Sequence, residues 1–449
     1  MEQKICKSCE ILLKRVIGVF MILSITVSCN NSSSQDENNK FSDWAIKNTQ
    51  KINTIELTEN QEDLNLLKQV VGKAEVVCLG ESRHDIHEQF KLKHRLIKYL
   101  VERMNFTTFI LEASLPYSNR INDYILNGNG NIDEIMSNMP GWFLWDTKEM
   151  KEILIWLKDY NQNRENDRKI NFYGIDIVSP NNALDQIFEY LQKVDKPYYD
   201  KIQDKKFARN IIVDNRWQQS LQHYSELSEE EKQILIKNYT DLYQHIKQNA
   251  TNYTANSSKK YYDWILKLSY SANEANNMFT ETDRLKMGLI RDNAMANIVL
   301  WIKERNEKLI VWAHNVHIAK SQFTMNMFPE NPIKGMGYIL NQELKNKMIS
   351  IGASFDRGAF ENENLTFEPA KKNTIDGSLA ELKIDYLLID LKGKSKSDEV
   401  KKWLNSENLI RAQGFEMTCV PVKAFDAIYF TNIISKVNYN PATLEKLRN

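Results

Sequence analysis

Six short apolar runs separated by amphipathic stretches constrain the fold of this chain more than any other feature. Each run is continuous, whereas a strand with one solvent-exposed face alternates apolar and polar residues. The pattern therefore predicts an α/β fold with a mostly parallel central sheet flanked by helices. The runs are EVVCLG (75–80), TTFILE (107–112), INFYGID (170–176), KLIVWAH (308–314), MISIGASF (348–355) and DYLLIDL (385–391).

A further apolar stretch and a long region without glycine complete the predicted architecture. VPVKAFDAIYFTN, close to the C-terminus, predicts an additional strand at the edge of the sheet. No glycine lies between Gly174 and Gly288, and no proline lies between Pro197 and Pro329. Glycine and proline are unfavourable inside helices, so their absence favours helix formation. We therefore predict an all-helical insertion at about residues 180–285.

The N-terminal residues have the pattern of a bacterial export signal. Lys14 and Arg15 precede the apolar run VIGVFMILSITV (16–27), which is shorter than the ~20 residues of a membrane span. Cys29 follows a small residue, as in a lipoprotein signal, so we expect acylation of Cys29 and a lipid-anchored protein of the cell envelope. An ordinary signal or an uncleaved anchor is the alternative. The predicted divisions are a lipoprotein signal peptide at 1–28, a disordered tether at 29–42 and a catalytic domain at 43–449.

Composition and motifs narrow the classes of partner and cofactor. The chain has 59 basic and 59 acidic residues, a balance that gives no reason to expect nucleic acid. It contains no P-loop, GxGxxG or GxSxG sequence, so nothing indicates a nucleotide cofactor or a serine nucleophile. Cys78 and Cys419, the cysteines that follow Cys29, are too few for a disulfide framework.

Four of the predicted strands end in ionisable side chains. The carboxyl ends of parallel strands meet at one edge of a sheet, where such folds bind their ligands. We therefore expect these side chains to lie close together. They are Glu81 and His84 after the first strand, Glu112 after the second, Asp176 after the third, and His314 and His317 after the fourth.

The segment after the first strand has the composition of a general-base site. A helix that starts just after Gly80 would place Glu81, His84 or Asp85, and Glu88 on one face. A carboxylate beside an imidazole fixes its tautomer and stabilises the imidazolium, so that the ring can take a proton from water. The histidines and acids also permit a metal site, although neither HExxH nor HxxEH is present.

These motifs resemble those of the erythromycin esterase family over roughly residues 70–360. LGESRHDIHEQFKLKHRLIKYLVERMNFTTFILEAS resembles the opening motif, and WFLWDTKEMKEILIWLKDYN, INFYGIDI, RDNAMANIVLW, KLIVWAHNVHIAK and GMGYIL follow in the same order. The resemblance implies an α/β core with a helical subdomain. It also implies hydrolysis of an ester, which in the best-known members is the lactone of 14-membered macrolides.

By position, the resemblance implies that His84 is the general base and that Glu81 and Glu112 are essential carboxylates. His314 matches the histidine after the later strand, and we count it among the catalytic residues. Lys93 departs from the pattern because some members have arginine there, and the lipoprotein signal is a second departure. The residues expected to bind substrate are Arg291, His317, Glu88 and Trp145.

An aromatic cluster close to residue 145 suggests a cleft. Trp142, Phe143 and Trp145 lie together in the sequence and would suit a bulky apolar ligand, although an aromatic core is the alternative reading. We assign Trp145 to the cleft because the residue matches the family pattern.

The sequence leads to one main hypothesis and two alternatives. In the main hypothesis, His84 oriented by Glu81 deprotonates a water that attacks an ester, without a cofactor. Glu112 or His314 positions that water or protonates the leaving alkoxide, and Arg291 stabilises the oxyanion. The alternatives are a divalent-metal hydrolase with the same residues and a non-catalytic lipoprotein that binds haem or a metal. The expected partners are a small-molecule ester or macrolide and, through the anchor, the membrane.

Overall fold

The six apolar runs all form strands in the computed structural model of the chain, which describes residues 41–139, 142, 144–163, 167–178, 180–213, 217–360, 363–441, 443 and 445. Seven further strands accompany them, four of which form a second sheet. In chain order the strands are β1 (Thr49–Lys51), β2 (Val76–Leu79), β3 (Thr108–Ser114), β4 (Asn171–Asp176), β5 (Leu309–Trp312), β6 (Phe323–Met325), β7 (Phe328–Ile333), β8 (Met348–Phe360), β9 (Leu365–Phe367), β10 (Tyr386–Asp390), β11 (Asn408–Ala412), β12 (Phe415–Cys419) and β13 (Ala427–Ile434).

Helices pack against the sheet and fill the region between β4 and β5. They are α1 (Asn65–Val71), α2 (His87–Met104), α3 (Ser118–Asn127), α4 (Ile132–Ser137), α5 (Lys148–Gln162), α6 (Asn181–Val194), α7 (Lys196–Ile202), α8 (Trp217–Ser225), α9 (Glu229–Gln248), α10 (Ala250–Ala255), α11 (Lys259–Thr280), α12 (Arg284–Lys303), α13 (Asn315–Ile318), α14 (Met336–Leu344), α15 (Ile375–Ala380), α16 (Asp398–Asn405) and α17 (Pro421–Ala424). In the described residues, 3-10 turns lie at Glu62–Leu64, Ala208–Asn210 and Lys345–Lys347.

The main sheet is mostly parallel, as predicted. Its strand order is β1-β10-β13-β8-β2-β5-β3-β4, and β9 pairs with the end of β8. The six strands from β13 to β4 are parallel to their neighbours, whereas β10 is antiparallel to β13 and β1 is antiparallel to β10. The carboxyl ends of β2, β5, β3 and β4 therefore lie side by side.

The continuous apolar runs are explained by burial on both faces of the sheet. Alternate residues of a strand point to opposite faces. In β2, Val76 and Cys78 join the core that includes the helices between β4 and β5. Val77 and Leu79 join a second core that includes residues of α2 and α5. Neither face of the sheet is exposed to water at β2, so polar residues are favoured on neither face.

The region between β4 and β5 is helical in the described residues, in agreement with the predicted insertion. The helices α6 to α11 cover about the predicted range, and α12 then leads back to β5. The start of α9 is fixed by Ser228 and Glu231, which form a capping box. Apolar residues of these helices join the core on one face of the sheet.

Two strand predictions need correction. The C-terminal apolar stretch is not an edge strand, because β13 lies inside the sheet between β10 and β8. Its eight residues are buried or half-buried apart from one near the end, as an internal strand requires. A second sheet, in the order β11-β12-β6-β7, is formed by short antiparallel hairpins that the sequence analysis missed.

The predicted tether ends earlier than expected. Residues 41–47 are helical, and Phe41 is buried against Trp403 with ring centres 4.0 Å apart. The folded part therefore includes at least the last two residues of the predicted tether. The predicted signal peptide and Cys29 lie outside the described residues. Within those residues, no helix combines the length and apolar character needed to cross a bilayer.

Candidate active site

The ionisable residues at the four strand ends meet in one place. Glu112 accepts a hydrogen bond from the backbone N–H of His314 at 2.9 Å, so the ends of β3 and β5 are joined directly. Arg291 of α12 bridges Glu112 and Asp176, which joins the end of β4 to the same cluster. The ring of His84 lies 5.3 Å from that of His314, centre to centre. The predicted convergence is confirmed.

His84 is held by Glu81, but not on a helix. The predicted helix after Gly80 is wrong: residues 81–86 form a loop, and α2 begins only at His87. A turn of this loop brings His84 Nδ1 within 2.5 Å of the Glu81 carboxylate. This contact fixes the proton on Nδ1 and directs Nε2 away from the acid.

Glu81 is a fully buried carboxylate with three donors. Besides His84, it accepts hydrogen bonds from Lys93 Nζ and from Trp312 Nε1, each at 2.7 Å. Burial acts to raise the pKa of Glu81, but the charges of Lys93 and His84 outweigh it and lower the pKa to about 2. Burial lowers the pKa of Lys93 to about 8 despite its pairing with Glu81. Glu81 therefore stays ionised behind the imidazole.

The pKa of His84 is raised above its ordinary value. Burial acts to lower the pKa, and the Glu81 carboxylate overcomes that effect through its charge and its hydrogen bond. The His84 side chain is 16% exposed, and no described residue hydrogen-bonds its Nε2. The ring therefore presents one free, basic nitrogen to solvent.

Glu112 lies at an irregularity in the sheet. The pairing of β3 with β4 shifts register between Leu111 and Ser114. Gly174 lies opposite, where an added Cβ would come within 2.5 Å of the carbonyl oxygens of Ala113 and Ser114. Glycine at this position therefore allows the close approach that the irregular pairing requires. The irregular stretch carries the carboxylate of Glu112.

Arg291 is fixed by two carboxylates. Its Nε and Nη2 donate to the two oxygens of Asp176 at 2.9 and 2.8 Å, and Nη2 also donates to Glu112 at 2.6 Å. Burial opposes the charge of the guanidinium, but the two acids raise its pKa well above the ordinary value. A guanidinium has five N–H donors. The two on Nη1 are not used by either carboxylate.

His317 forms a second histidine–carboxylate pair. Its Nδ1 lies 2.5 Å from Asp292, and its Nε2 lies 3.3 Å from Glu112 and 3.0 Å from Arg291 Nη1. Burial acts to lower the pKa of His317, whereas Asp292 and Glu112 raise it to about 10. His317 is therefore an imidazolium at neutral pH.

His314 is neutral. Its Nε2 donates to the carbonyl oxygen of Ser82 at 3.1 Å, and its Nδ1 accepts from the backbone of Val316 at 3.4 Å. Burial and the charge of His84 lower its pKa to about 3. Both ring nitrogens are engaged, so His314 holds the loop that carries His84.

A cavity of about 760 Å³ opens onto this cluster, within the ~300–1,000 Å³ range of small-molecule sites. Glu112, Asp176 and His314 form part of its wall, while the helical region contributes Val213 and α8. Glu81 lies behind His84 and does not reach the cavity. Other lining side chains include His84, Arg291, His317, Trp145, Trp217 and Gln413.

The comparison with known protein families agrees with this arrangement. The family model described as erythromycin esterase matches residues 101–433, more than half of the chain. The chain belongs to the erythromycin esterase family. Family membership indicates a hydrolase that acts on esters.

Erythromycin esterases and related proteins resemble the chain over most of its length. Erythromycin esterase type II of Escherichia coli is 26% identical over 404 residues, which cover 83% of this chain and 92% of the relative. The putative hydrolase YbfO of Bacillus subtilis is 25% identical over 403 residues, with 82% and 86% covered.

Solved structures share the fold. A Bacillus cereus protein superimposes with a TM-score of 0.77 at 25% identity, covering 90% of this chain and 99% of that protein. An erythromycin esterase mutant in its open conformation gives a TM-score of 0.68 at 18% identity, with 88% and 99% covered.

Glu88 and the neighbouring His87 make contacts away from the cavity. Glu88 accepts hydrogen bonds from the backbone and hydroxyl groups of Ser435 at 2.8 and 2.7 Å, so it ties the start of α2 to the C-terminal segment. Its predicted role in substrate binding is therefore not supported by its position. His87 contacts Glu149 at 2.6 Å in the same region.

The aromatic cluster divides between core and cavity. Trp142 is buried and lies 6.1 Å from Phe172, ring centre to ring centre, so it belongs to the core. Trp145 lines the cavity, as the erythromycin esterase resemblance implies, and its Nε1 donates to the Glu112 carbonyl at 3.0 Å. Phe143 lies outside the described residues.

Four site residues were missed or given no role by sequence reasoning. Lys93 of α2 pairs with Glu81. It lies one helical turn after an apolar residue, and this spacing does not distinguish a buried lysine from an exposed one. Asp292 follows Arg291 directly in the sequence, and its partner His317 lies in α13, just after β5. Asp176 was predicted only as the acid at the end of a strand, without a role in the site. Gln413 belongs to an unpredicted hairpin, so nothing in the local sequence indicated it.

The acids of the site are paired with basic groups of the protein itself. Glu112 and Asp176 share the guanidinium of Arg291, and Glu81 pairs with Lys93. In the part of the chain that the structure describes, no group of three or more His, Cys, Asp or Glu side chains is arranged to hold a metal ion.

Proposed function

We propose that this chain hydrolyses carboxylic esters by direct attack of water, with His84 as the general base. The observation that carries the proposal is the short Glu81–His84 contact, which leaves Nε2 of a basic imidazole open to the cavity. A carboxylate–imidazole pair of this kind can remove a proton from water as the water oxygen bonds to the ester carbon. The imidazolium that forms is stabilised by Glu81.

Arg291 and His317 supply the remaining charges in this mechanism. As water adds, the carbonyl electron pair moves onto oxygen, where the Nη1–H of Arg291 that does not face His317 stabilises the negative charge. His317, protonated because of Asp292 and Glu112, gives its Nε2 proton to the leaving alkoxide. The products are a carboxylic acid and an alcohol, and water is the only other reactant.

Glu112 and His314 have positioning roles in this proposal. The pKa of Glu112 lies well below its ordinary value: burial opposes the shift, while the charges of His317 and Arg291 cause it. Glu112 is therefore ionised at neutral pH and has no proton to give to an alkoxide. Glu112 instead fixes Arg291 and the backbone of His314, and His314 fixes the carbonyl of Ser82.

The substrate class that we propose is macrolide lactones or related cyclic esters. The support comes from the relatives named as erythromycin esterases and from a cavity large enough for a drug-sized ligand. Trp145, Trp217 and Phe415 offer apolar surface to a macrocycle, while the charges lie at one side around Arg291.

The test is mass spectrometry of erythromycin incubated with the purified chain. We expect a product heavier by one water, formed equally in samples treated with a chelator. Product that disappears with the chelator and returns with a divalent ion would support the metal-dependent hydrolase. If no lactone or simple ester in a panel gains water, the proposal fails. A Soret shift on titration with haemin would then support the binding-protein alternative.

We also propose that residues 1–28 are a signal peptide and that Cys29 carries lipid, which would anchor the enzyme in the cell envelope. The support is the basic and apolar pattern before Cys29. Globomycin-sensitive processing and metabolic labelling with palmitate test this, and Cys29→Ser should abolish labelling. Labelling that persists in the variant would contradict it.

A further inference from the structure

The turn between β11 and β12 has an unusual residue at its tip. The two-residue loop consists of Gln413 and Gly414, with φ angles of +44° and +81°. Two positive φ values suit a tight hairpin turn, which normally uses Asn, Asp or Gly at both positions. Glutamine has a Cβ and no special tolerance for this region. Such backbone outliers concentrate at functional sites.

Gln413 contacts both ends of the segment that carries His84. Its backbone N–H donates to the carbonyl oxygen of Ser82 at 2.7 Å. Its side-chain Oε1 accepts from the backbone N–H of His84 at 2.9 Å. The carbonyl of Ser82 also accepts from His314, so the turn and the histidine hold the same short loop.

The orientation of the Gln413 amide follows from this geometry. A backbone N–H can only donate, so the atom that faces His84 must be the amide oxygen. The amide nitrogen therefore points elsewhere with two N–H donors. No described residue accepts from either donor. Gln413 lines the cavity together with His84 and Arg291.

We propose that Gln413 orients His84 through Oε1 and donates from Nε2 to the carbonyl oxygen of the bound ester, beside Arg291. The inference rests on the proposed ester hydrolysis. When water adds and its proton passes to His84, the carbonyl oxygen gains a full negative charge. A preorganised neutral donor strengthens its hydrogen bond to that charge. One hairpin tip thus serves both the base and the oxyanion.

Glycine at position 413 separates this role from a structural one. Gln413→Gly keeps the backbone bond to Ser82 and relieves the positive φ, which offsets the lost bond from the backbone N–H of His84, so its melting temperature should stay close to that of the wild type. Loss of the donor should lower kcat/KM by ~10²-fold or more, mainly through kcat. Lys383→Gly is the matched control. Lys383 is exposed, has φ +55° and does not line the cavity, so the change should leave kcat/KM unaltered.

Gln413→Glu tests whether the side chain acts as a hydrogen-bond donor, because it replaces the amide by a negatively charged carboxylate. The variant keeps an oxygen for the His84 backbone but replaces the amide nitrogen by a second, anionic oxygen. We expect kcat to fall and the acid limb of the pH–rate profile to move to higher pH, because a new negative charge raises the pKa of His84. A Gln413→Glu variant that keeps the kcat of the wild type would contradict the donor role.

The outcomes are distinguishable from failure of the proposed function. If the wild type hydrolyses esters and His84→Ala does not, while both Gln413 variants stay within twofold of the wild type, the inference about Gln413 is wrong and the esterase stands. If the wild type hydrolyses no ester, the proposed function fails and the donor role fails with it.

Discussion

Two histidine rings with centres 5.3 Å apart carry different charges in this site because their nitrogens have different partners. His84 faces the carboxylate of Glu81, which raises its pKa against the effect of burial. His314 faces a backbone carbonyl and a backbone N–H, so burial lowers its pKa to about 3. His84 is therefore more basic than an ordinary histidine, whereas His314 stays neutral.

The pH dependence of hydrolysis tests the state of His84. Because the base must be neutral and its pKa is raised, kcat/KM should rise with pH through an apparent pKa above 6.5. Glu81→Gln removes the charge that raises the pKa, so the limb should move to lower pH while the plateau falls by ~10-fold or more. The measurement is kcat/KM from pH 5 to 9. An acid limb that stays in place in Glu81→Gln would refute the pairing.

At the scale of elements, the irregular pairing of β3 with β4 presents Glu112, and Gly174 makes that pairing possible. Gly174→Ala places a Cβ against two backbone oxygens, and overpacking of this kind costs ~1–3 kcal/mol. We expect a lower free energy of unfolding in urea together with lower kcat, because Glu112 moves and Arg291 loses one of its two carboxylate partners.

Gly288→Ala is the matched control for this change. Gly288 is exposed within α12, where an added Cβ meets no atom within 4 Å. Alanine should stabilise the helix by ~0.5–1 kcal/mol and leave kcat unchanged. Equal effects of the two substitutions on stability would contradict the account of the β3–β4 pairing.

The same scale shows which features the sequence could predict. Buried strands and their terminal acids were predictable because burial on both faces leaves a continuous apolar run, as in Val76–Leu79. The loop after Gly80 was not, because its residues also suit a helix start, and the loop is held by partners more than 200 residues away, among them Gln413. The internal place of β13 was missed because strand order depends on contacts between distant segments.

At the scale of the whole molecule, the buried ion pair of Glu81 and Lys93 behind His84 contributes to the stability of the fold. Glu81 and Lys93 are both fully buried, and breaking a buried pair by removing one partner costs ~3–5 kcal/mol. Lys93→Met should therefore lower the free energy of unfolding by about that amount. The double variant Glu81→Gln/Lys93→Met should recover most of it, since neither side chain is then charged, while hydrolysis stays impaired.

The pH dependence of stability follows from the same pair. The pKa of Glu81 is about 2 in the folded chain and about 4.5 when exposed, so its ionisation stabilises the fold fully above pH 4.5. That contribution is lost as the pH falls towards 2. Urea unfolding between pH 5 and 3 should therefore show a steeper loss of stability in the wild type than in the double variant. Parallel curves would contradict this assignment.

The most direct test of the central claim is the kcat/KM of His84→Ala for a hydrolysed lactone, measured beside His245→Gln. His245 lies in α9, away from the cavity, so its variant controls for the loss of a histidine. We predict that His84→Ala loses ~10²–10⁴-fold while retaining the wild-type circular dichroism spectrum, and that His245→Gln retains full activity. Turnover by His84→Ala at the wild-type rate would show that water is activated elsewhere.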